Sequence, residues 1–232
     1  MKRWLKSRFP NAWANSTIRF YRWRARWPHW IIRLRRNRFG LEHIRNVAID
    51  LRYGGYVGRR IPTKFADIGA HASASTFYWE LAEVFDEQRG VSIGETDVLV
   101  DVGSGTGRVL NFWLSKGFGN QLVGLELDPD VAAASARRLA RFPNVRIVPG
   151  DAIEHVPQDG TVFYLYNPFG RSLAEAFERR LRALAAVHDV RIVYYSCLFL
   201  EVFSPEHWQI QPLDLKAVLP AAVIAPRGDR QV

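Results

Sequence analysis

From about residue 96 the chain keeps a regular beat that narrows its fold more than any other feature. Apolar, β-branched runs stand at 98–102, 122–127, 145–148, 162–166 and 190–195, and between most of them lie stretches of helical periodicity at 108–116, 130–141 and 172–187. Strands alternating with helices at this pitch build a parallel sheet covered on both faces, and the near-continuous hydrophobicity of the runs fits strands buried on both sides. After the fifth run the beat changes. Two short runs, 208–213 and 221–224, follow each other with no helix between them, which predicts an antiparallel pair that brings the sheet to seven strands. Ahead of the first run, 75–88 reads as a helix with Phe77, Leu81, Val84 and Phe85 on one face and Ser75 or Thr76 as its cap.

The formal charge of +9 is distributed unevenly. Residues 1–38 hold 12 Lys/Arg and no Asp or Glu, leaving 20 basic against 23 acidic residues, a formal −3, for the rest of the chain. The sequence therefore divides into a basic arm, 1–40, and a near-neutral domain, 41–232. The arm also carries five of the eight tryptophans. Phe20, Trp23, Trp27, Ile31 and Leu34 recur at helical spacing, with Arg19, Arg22, Arg26, Arg33 and Arg36 on much of the other side. Pro28 divides this amphipathic pattern into two helices, and Gly40 ends the second. Docking on an anionic membrane surface, binding of nucleic acid, an organelle address and packing on the chain's own domain all suit such an arm.

The composition also excludes. Cys197 is the only cysteine, so there is no internal disulfide and no thiolate metal cluster, and a reducing, cytoplasmic compartment is expected. The six histidines include no pair at metal-ligand spacing, and no metal is expected. No apolar run approaches the roughly 20 residues that span a bilayer, so any membrane contact is peripheral.

The stretch VLVDVGSGTGRVL, 98–110, sets Asp101 at a strand end against a loop with Gly103, Gly105 and Gly107. In an open α/β sheet the loop after the first strand is the usual ligand contact, and glycines there admit close backbone approach. The spacing is G-x-G-x-G rather than the dinucleotide G-x-G-x-x-G, and no Gly-Lys-Ser/Thr follows as in a P-loop. Asp101 would repel a phosphate and welcome a cation. S-adenosylmethionine has no phosphate and carries an ammonium and a sulfonium. Glu126 ends the second strand about twenty residues beyond the loop, where a carboxylate accepts from ribose hydroxyls in NAD sites as well. Asp151 follows the third strand, where it can accept from an adenine amine. Asn167-Pro168-Phe169 follows the fourth. Four strand ends thus bring polar groups to one rim.

Together, Asp101-Val-Gly103-Ser104-Gly105-Thr-Gly107, Glu126, Gly150-Asp151-Ala152 and Asn167-Pro168-Phe169 resemble the motif series of class I S-adenosylmethionine-dependent methyltransferases, from about residue 75 to the C-terminus. The resemblance implies a Rossmann-like, doubly wound seven-strand sheet. It places Asp101, Gly103, Ser104, Gly105 and Gly107 at the methionine end of the cofactor, Glu126 and Leu127 at the ribose, and Asp151 and Ala152 at the adenine. VDVGSGTGRVL with FYLYNPFG is further similar to small bacterial enzymes related to seven-strand protein-lysine methyltransferases. That likeness implies a lysine acceptor oriented by Asn167, with Tyr166, Phe169 and Tyr78 walling the pocket and Thr76 and His71 in the segment over the cofactor. One proline of N-P-P-Tyr/Phe is missing, GAHASASTFYW replaces the Tyr-x-Pro element, and Thr106 stands where a lysine is frequent. RNA or small-molecule methylation, and a non-catalytic cofactor-binding module, remain open. Arg137, Arg138, Arg179, Arg180 and Arg182 read as solvated helix faces, and Glu154 and His155 as exposed loop residues.

Overall fold

The five central runs form parallel strands: β1 (Val98–Val102), β2 (Gln121–Glu126), β3 (Val145–Pro149), β4 (Val162–Tyr166) and β5 (Arg191–Tyr195). β6 (Trp208–Pro212) and β7 (Ala221–Pro226) pair antiparallel as expected, and β7 inserts between β5 and β6 to give the order β3-β2-β1-β4-β5-β7-β6. The computed structural model describes residues 39–58, 64–65, 75–216 and 219–228. The arm of residues 1–38 and His71 lie outside the described residues.

Local chemistry explains where the helices begin. α1 (Phe39–Arg52) and α2 (Tyr78–Val84) precede the sheet, while α3 (Arg108–Ser115), α4 (Pro129–Leu139) and α5 (Arg171–Ala185) connect its strands. α4 starts at a proline behind Asp128, whose Oδ1 accepts from the Asp130 and Val131 amides at 2.9 and 3.4 Å. In α5 Ala174, Phe177, Leu181 and Leu184 are buried and Arg179, Arg180 and Arg182 are exposed. α2 is shorter than the expected 75–88. Its first turn is capped by Glu80, which accepts from the Phe77 amide at 3.1 Å, while Thr76 turns its hydroxyl to Tyr164 at 3.3 Å and Ser75 donates to the Val57 carbonyl.

Two hydrophobic layers cover the sheet. On one face Leu99, Tyr164, Val193 and Tyr195 pack with Leu81 and Val84 of α2 and Leu110 and Trp113 of α3. On the other, Val100, Val102, Phe163 and Ile192 pack with Phe177 and Leu181 of α5 and with Trp208, whose indole N–H donates to buried Glu178 at 2.7 Å.

α1 corrects one expectation. Gly40 does not end a helix but lies in the first turn of one, and the stretch after it is helical to Arg52. The helix is fastened by polar groups. Asp50 is fully buried and accepts from the Tyr78 hydroxyl at 2.6 Å, from the Val57 amide at 3.2 Å and from the guanidinium of buried Arg108. Asn46, equally buried, accepts from the Tyr78 amide at 3.0 Å. Removing one partner of a buried ion pair strands the other. Asp50→Ala should therefore destabilise the protein by about 3–5 kcal/mol in urea unfolding, and a loss under about 1 kcal/mol would show that water replaces the carboxylate.

Candidate functional site

The chain runs from β1 outward through β2 and β3, then returns to lay β4 on the other side of β1. This reversal puts the switch point of the sheet at the carboxyl ends of β1 and β4, the place where open α/β sheets take ligands. The glycine loop lies there. Gly103, Gly105 and Gly107 all have left-handed φ, at 75°, 54° and 79°. At Gly103 a Cβ would stand 3.2 Å from Cβ of Pro168, so the β1 and β4 loops meet closely at the switch point.

Hydrogen bonds fix each peptide of the loop. The Gly103 and Ser104 amides both donate to the Leu125 carbonyl, at 3.0 and 2.8 Å, and the Gly107 amide donates to the Ser104 carbonyl at 2.8 Å. The Gly105 carbonyl accepts from Ser135 Oγ at 2.9 Å and the Thr106 carbonyl from Arg138 Nη2 at 2.6 Å. In a trans peptide the N–H points opposite its carbonyl. With the Gly105 carbonyl turned to α4, the Thr106 amide faces the other way. Ser104 is buried over Gly124, where a Cβ would come within 2.7 Å of the serine Oγ, so β2 carries glycine at the one position the loop presses on.

Two carboxylates line this loop. Asp101 is 3% exposed, and its Oδ2 has no hydrogen-bond partner among the described residues. Burial and then the Glu126 charge push its carboxyl well above the usual range. Glu126 accepts from the Gly105 amide at 2.7 Å and the Asp128 amide at 2.9 Å. Burial raises its carboxyl too, against the pull of those amides. Ionising both carboxyls of this pair is costly, and a cation placed against them relieves the cost.

The other expected residues are distributed around the same rim. Leu127 follows Glu126, half-buried; Asp151 accepts from the Ile153 amide at 2.7 Å in a turn after β3, and Ala152 is buried in the second hydrophobic layer. Glu154 and His155 are exposed. Asn167 takes a left-handed φ of 42°, and its Oδ1 accepts from the Tyr194 hydroxyl at 3.2 Å. Tyr166 packs its half-buried ring on Tyr195 at 5.1 Å, and Phe169 packs on Phe177 at 5.2 Å, on the opposite face of the sheet. Tyr78 turns its hydroxyl to Asp50 in the α1 joint, and its ring is in the core.

Arg138 corrects the expectation of a solvated face. Arg137 is exposed, but Arg138 reaches inward to donate to the Thr106 carbonyl, the Tyr53 carbonyl at 2.6 Å and Asn111 Oδ1 at 2.8 Å. It is a positioning residue for the loop. Its sequence signal is faint: Ser135 and Arg138, three residues apart, share the face of α4 that touches the loop.

With this geometry in place, the likeness to solved structures is consistent. A methyltransferase from Pyrococcus furiosus matches 81% of this chain and 97% of its own, with TM-score 0.53 and 16% identity. The putative methyltransferase yhhF from Escherichia coli matches 74% and 94%, with TM-score 0.50 and 19% identity. PhzM, a pyocyanin biosynthetic protein, matches 64% of this chain at TM-score 0.50 and 14% identity, and this chain spans 55% of PhzM. No family model and no curated protein matches the sequence. The chain thus has the class I, Rossmann-like methyltransferase fold.

Two measurements probe the site without any ligand. Because the native Asp101 carboxyl keeps a proton that the unfolded chain releases, stability falls as pH rises from the ordinary value of about 3.9 toward the raised native one. Asp101→Asn removes that slope, so thermal melting across this range should show a flatter profile and a higher Tm than wild type at neutral pH; a lower Tm throughout would mean the carboxylate has a native partner. Arg138→Ala should cost about 1.5–3 kcal/mol in urea unfolding, against less than about 0.5 kcal/mol for Arg137→Ala, and equal effects would contradict the inward role.

Proposed function

We propose that this chain is an S-adenosylmethionine-dependent methyltransferase whose acceptor is a lysine amine of another protein. The observation that carries the cofactor is the orphaned, buried oxygen of Asp101 beside the Glu126 carboxylate, behind a loop of left-handed glycines. A nucleoside with a cationic amino-acid tail completes that acceptor, whereas a pyrophosphate would add charge of the same sign. In this reading Asp101 faces the tail, Gly103, Ser104, Gly105 and Gly107 let it approach the backbone, Glu126 exchanges its bond from the Gly105 amide for ribose hydroxyls with Leu127 alongside, and Asp151 with Ala152 borders the adenine. Bound there, S-adenosylmethionine supplies a methyl group on a cationic sulfur that leaves as a neutral thioether.

The acceptor side follows from the β4 loop. Pro168 abuts Gly103, which sets Asn167 next to the cofactor loop, and the Tyr194 hydroxyl anchors the Asn167 side chain in its left-handed conformation. An amide carbonyl at that place aligns an N–H nucleophile for in-line attack, and Tyr166 and Phe169 flank it. The amine arrives deprotonated, since an ammonium has no lone pair to offer. Little else is asked of the protein, because positioning supplies much of the rate in such a displacement.

Tritiated-methyl labelling of a cell extract tests this. The label should enter material that is protease-sensitive and ribonuclease-resistant, and Asn167→Ala should lower incorporation about 10²-fold at saturating cofactor while leaving the Kd for S-adenosylhomocysteine unchanged. Label in RNA or in small molecules would overturn the lysine acceptor. Tight binding without any transfer in extract would make the chain a binding module instead.

A further inference from the structure

α1 is amphipathic in the reverse sense for a helix facing water. Leu41, Ile44, Ala48 and Leu51, at intervals of three, four and three, fall on one face, and that face is outward: Leu41 is 72%, Ile44 65% and Leu51 61% exposed. The inward face instead buries Asn46 and Asp50 at 1% and 0%. A helix on an aqueous surface keeps its apolar stripe toward the core. Here the core-facing contacts are Ile49 packed on the first hydrophobic layer and polar bonds to Tyr78, Arg108 and Val57, and three of the five large exposed hydrophobic residues among the described residues lie on the outward stripe. A contiguous exposed apolar stripe marks a surface that meets something apolar.

We infer that this face of α1 seats the protein on an anionic lipid bilayer. The segment leading into α1 holds 12 Lys/Arg, five tryptophans and no acidic residue. Exposed Arg52 stands beside the stripe, as does exposed Arg45, which also pairs with Glu42 at 3.5 Å. Aliphatic side chains flanked by guanidinium groups, continued by a Trp/Arg-rich stretch, match the boundary between acyl chains and anionic headgroups. With its apolar stripe on one side and Asn46 and Asp50 on the other, α1 suits lying along a bilayer surface.

Two other occupants fit less well. Residues 1–38 themselves carry the same charge as Arg45 and Arg52 and would be repelled from the stripe's flanks. Nucleic acid offers phosphates to the arginines but no apolar counterpart to Leu41, Ile44 and Leu51. The inference is independent of the reaction catalysed.

Flotation of the full chain with vesicles of phosphatidylcholine, alone or mixed with phosphatidylglycerol, tests it. The protein should float with the anionic vesicles only, and L41D/I44D should reduce flotation roughly tenfold with an unchanged Tm, because both positions are exposed. Undiminished flotation of the double variant would overturn the proposal, as would equal flotation on neutral vesicles. A lower Tm with undiminished flotation would show that the chain's own arm covers the stripe. A second readout does not depend on that variant: L41C labelled with a polarity-sensitive thiol dye, for which buried Cys197 is no competitor. The dye should shift to the blue on anionic vesicles; no shift, or a shift produced by RNA instead, would overturn the assignment.

Discussion

A carboxylate inside a protein is tolerated when something completes it. Asp97, near the opposite end of the sheet, shows the ordinary solution: burial raises its carboxyl, but the Thr161 hydroxyl, the Arg191 guanidinium and the Gly94 amide outweigh burial and hold it below its usual range. Asp101, at the other end of the same strand β1, has no such set. Around it the fold places a loop with left-handed glycines, a second carboxylate and the reversal point of the sheet. The contrast between these two aspartates organises the molecule into a structural base and a functional rim.

The rim is held from behind by the N-terminal helix. Arg138 and Arg141, one helical turn apart along the chain, take the Tyr53 and Arg52 carbonyls at the end of α1, both at 2.6 Å, and Arg138 also holds the Thr106 carbonyl of the glycine loop. Thr106 donates its hydroxyl to the Val57 carbonyl at 3.1 Å. The glycine loop, α4 and α1 are therefore one bonded unit. A single side chain, Arg138, thus bridges the end of α1 and the glycine loop.

Much of this was legible in the residues themselves. Every expected strand lies within two residues of its place, because β-branched runs between helical stretches have few other ways to bury both faces. The loop was legible because glycines at alternate positions behind a carboxylate answer a backbone requirement rather than a packing one. α1 was not. Most of its large apolar positions face outward, and beside Ile49 its inward contacts are Asn46 and Asp50, so the usual equation of apolar face with core points the wrong way. Arg138 was hidden for a related reason: a guanidinium that caps carbonyls of two distant segments has no local signature, and its neighbour Arg137 really is solvated. The partner of Asn167, Tyr194, comes from the adjacent strand and is invisible to a motif confined to one loop.

Calorimetric titration of the purified wild-type protein, stripped of any co-purified ligand, reaches the central claim most directly. S-adenosylmethionine and S-adenosylhomocysteine should both bind, with protons released from the raised carboxyl pair as the ammonium settles against it, while NADH and ATP give no heat of binding. Uptake of NADH with neither sulfur nucleoside bound would mean that the carboxyl pair at this strand end serves some other ligand.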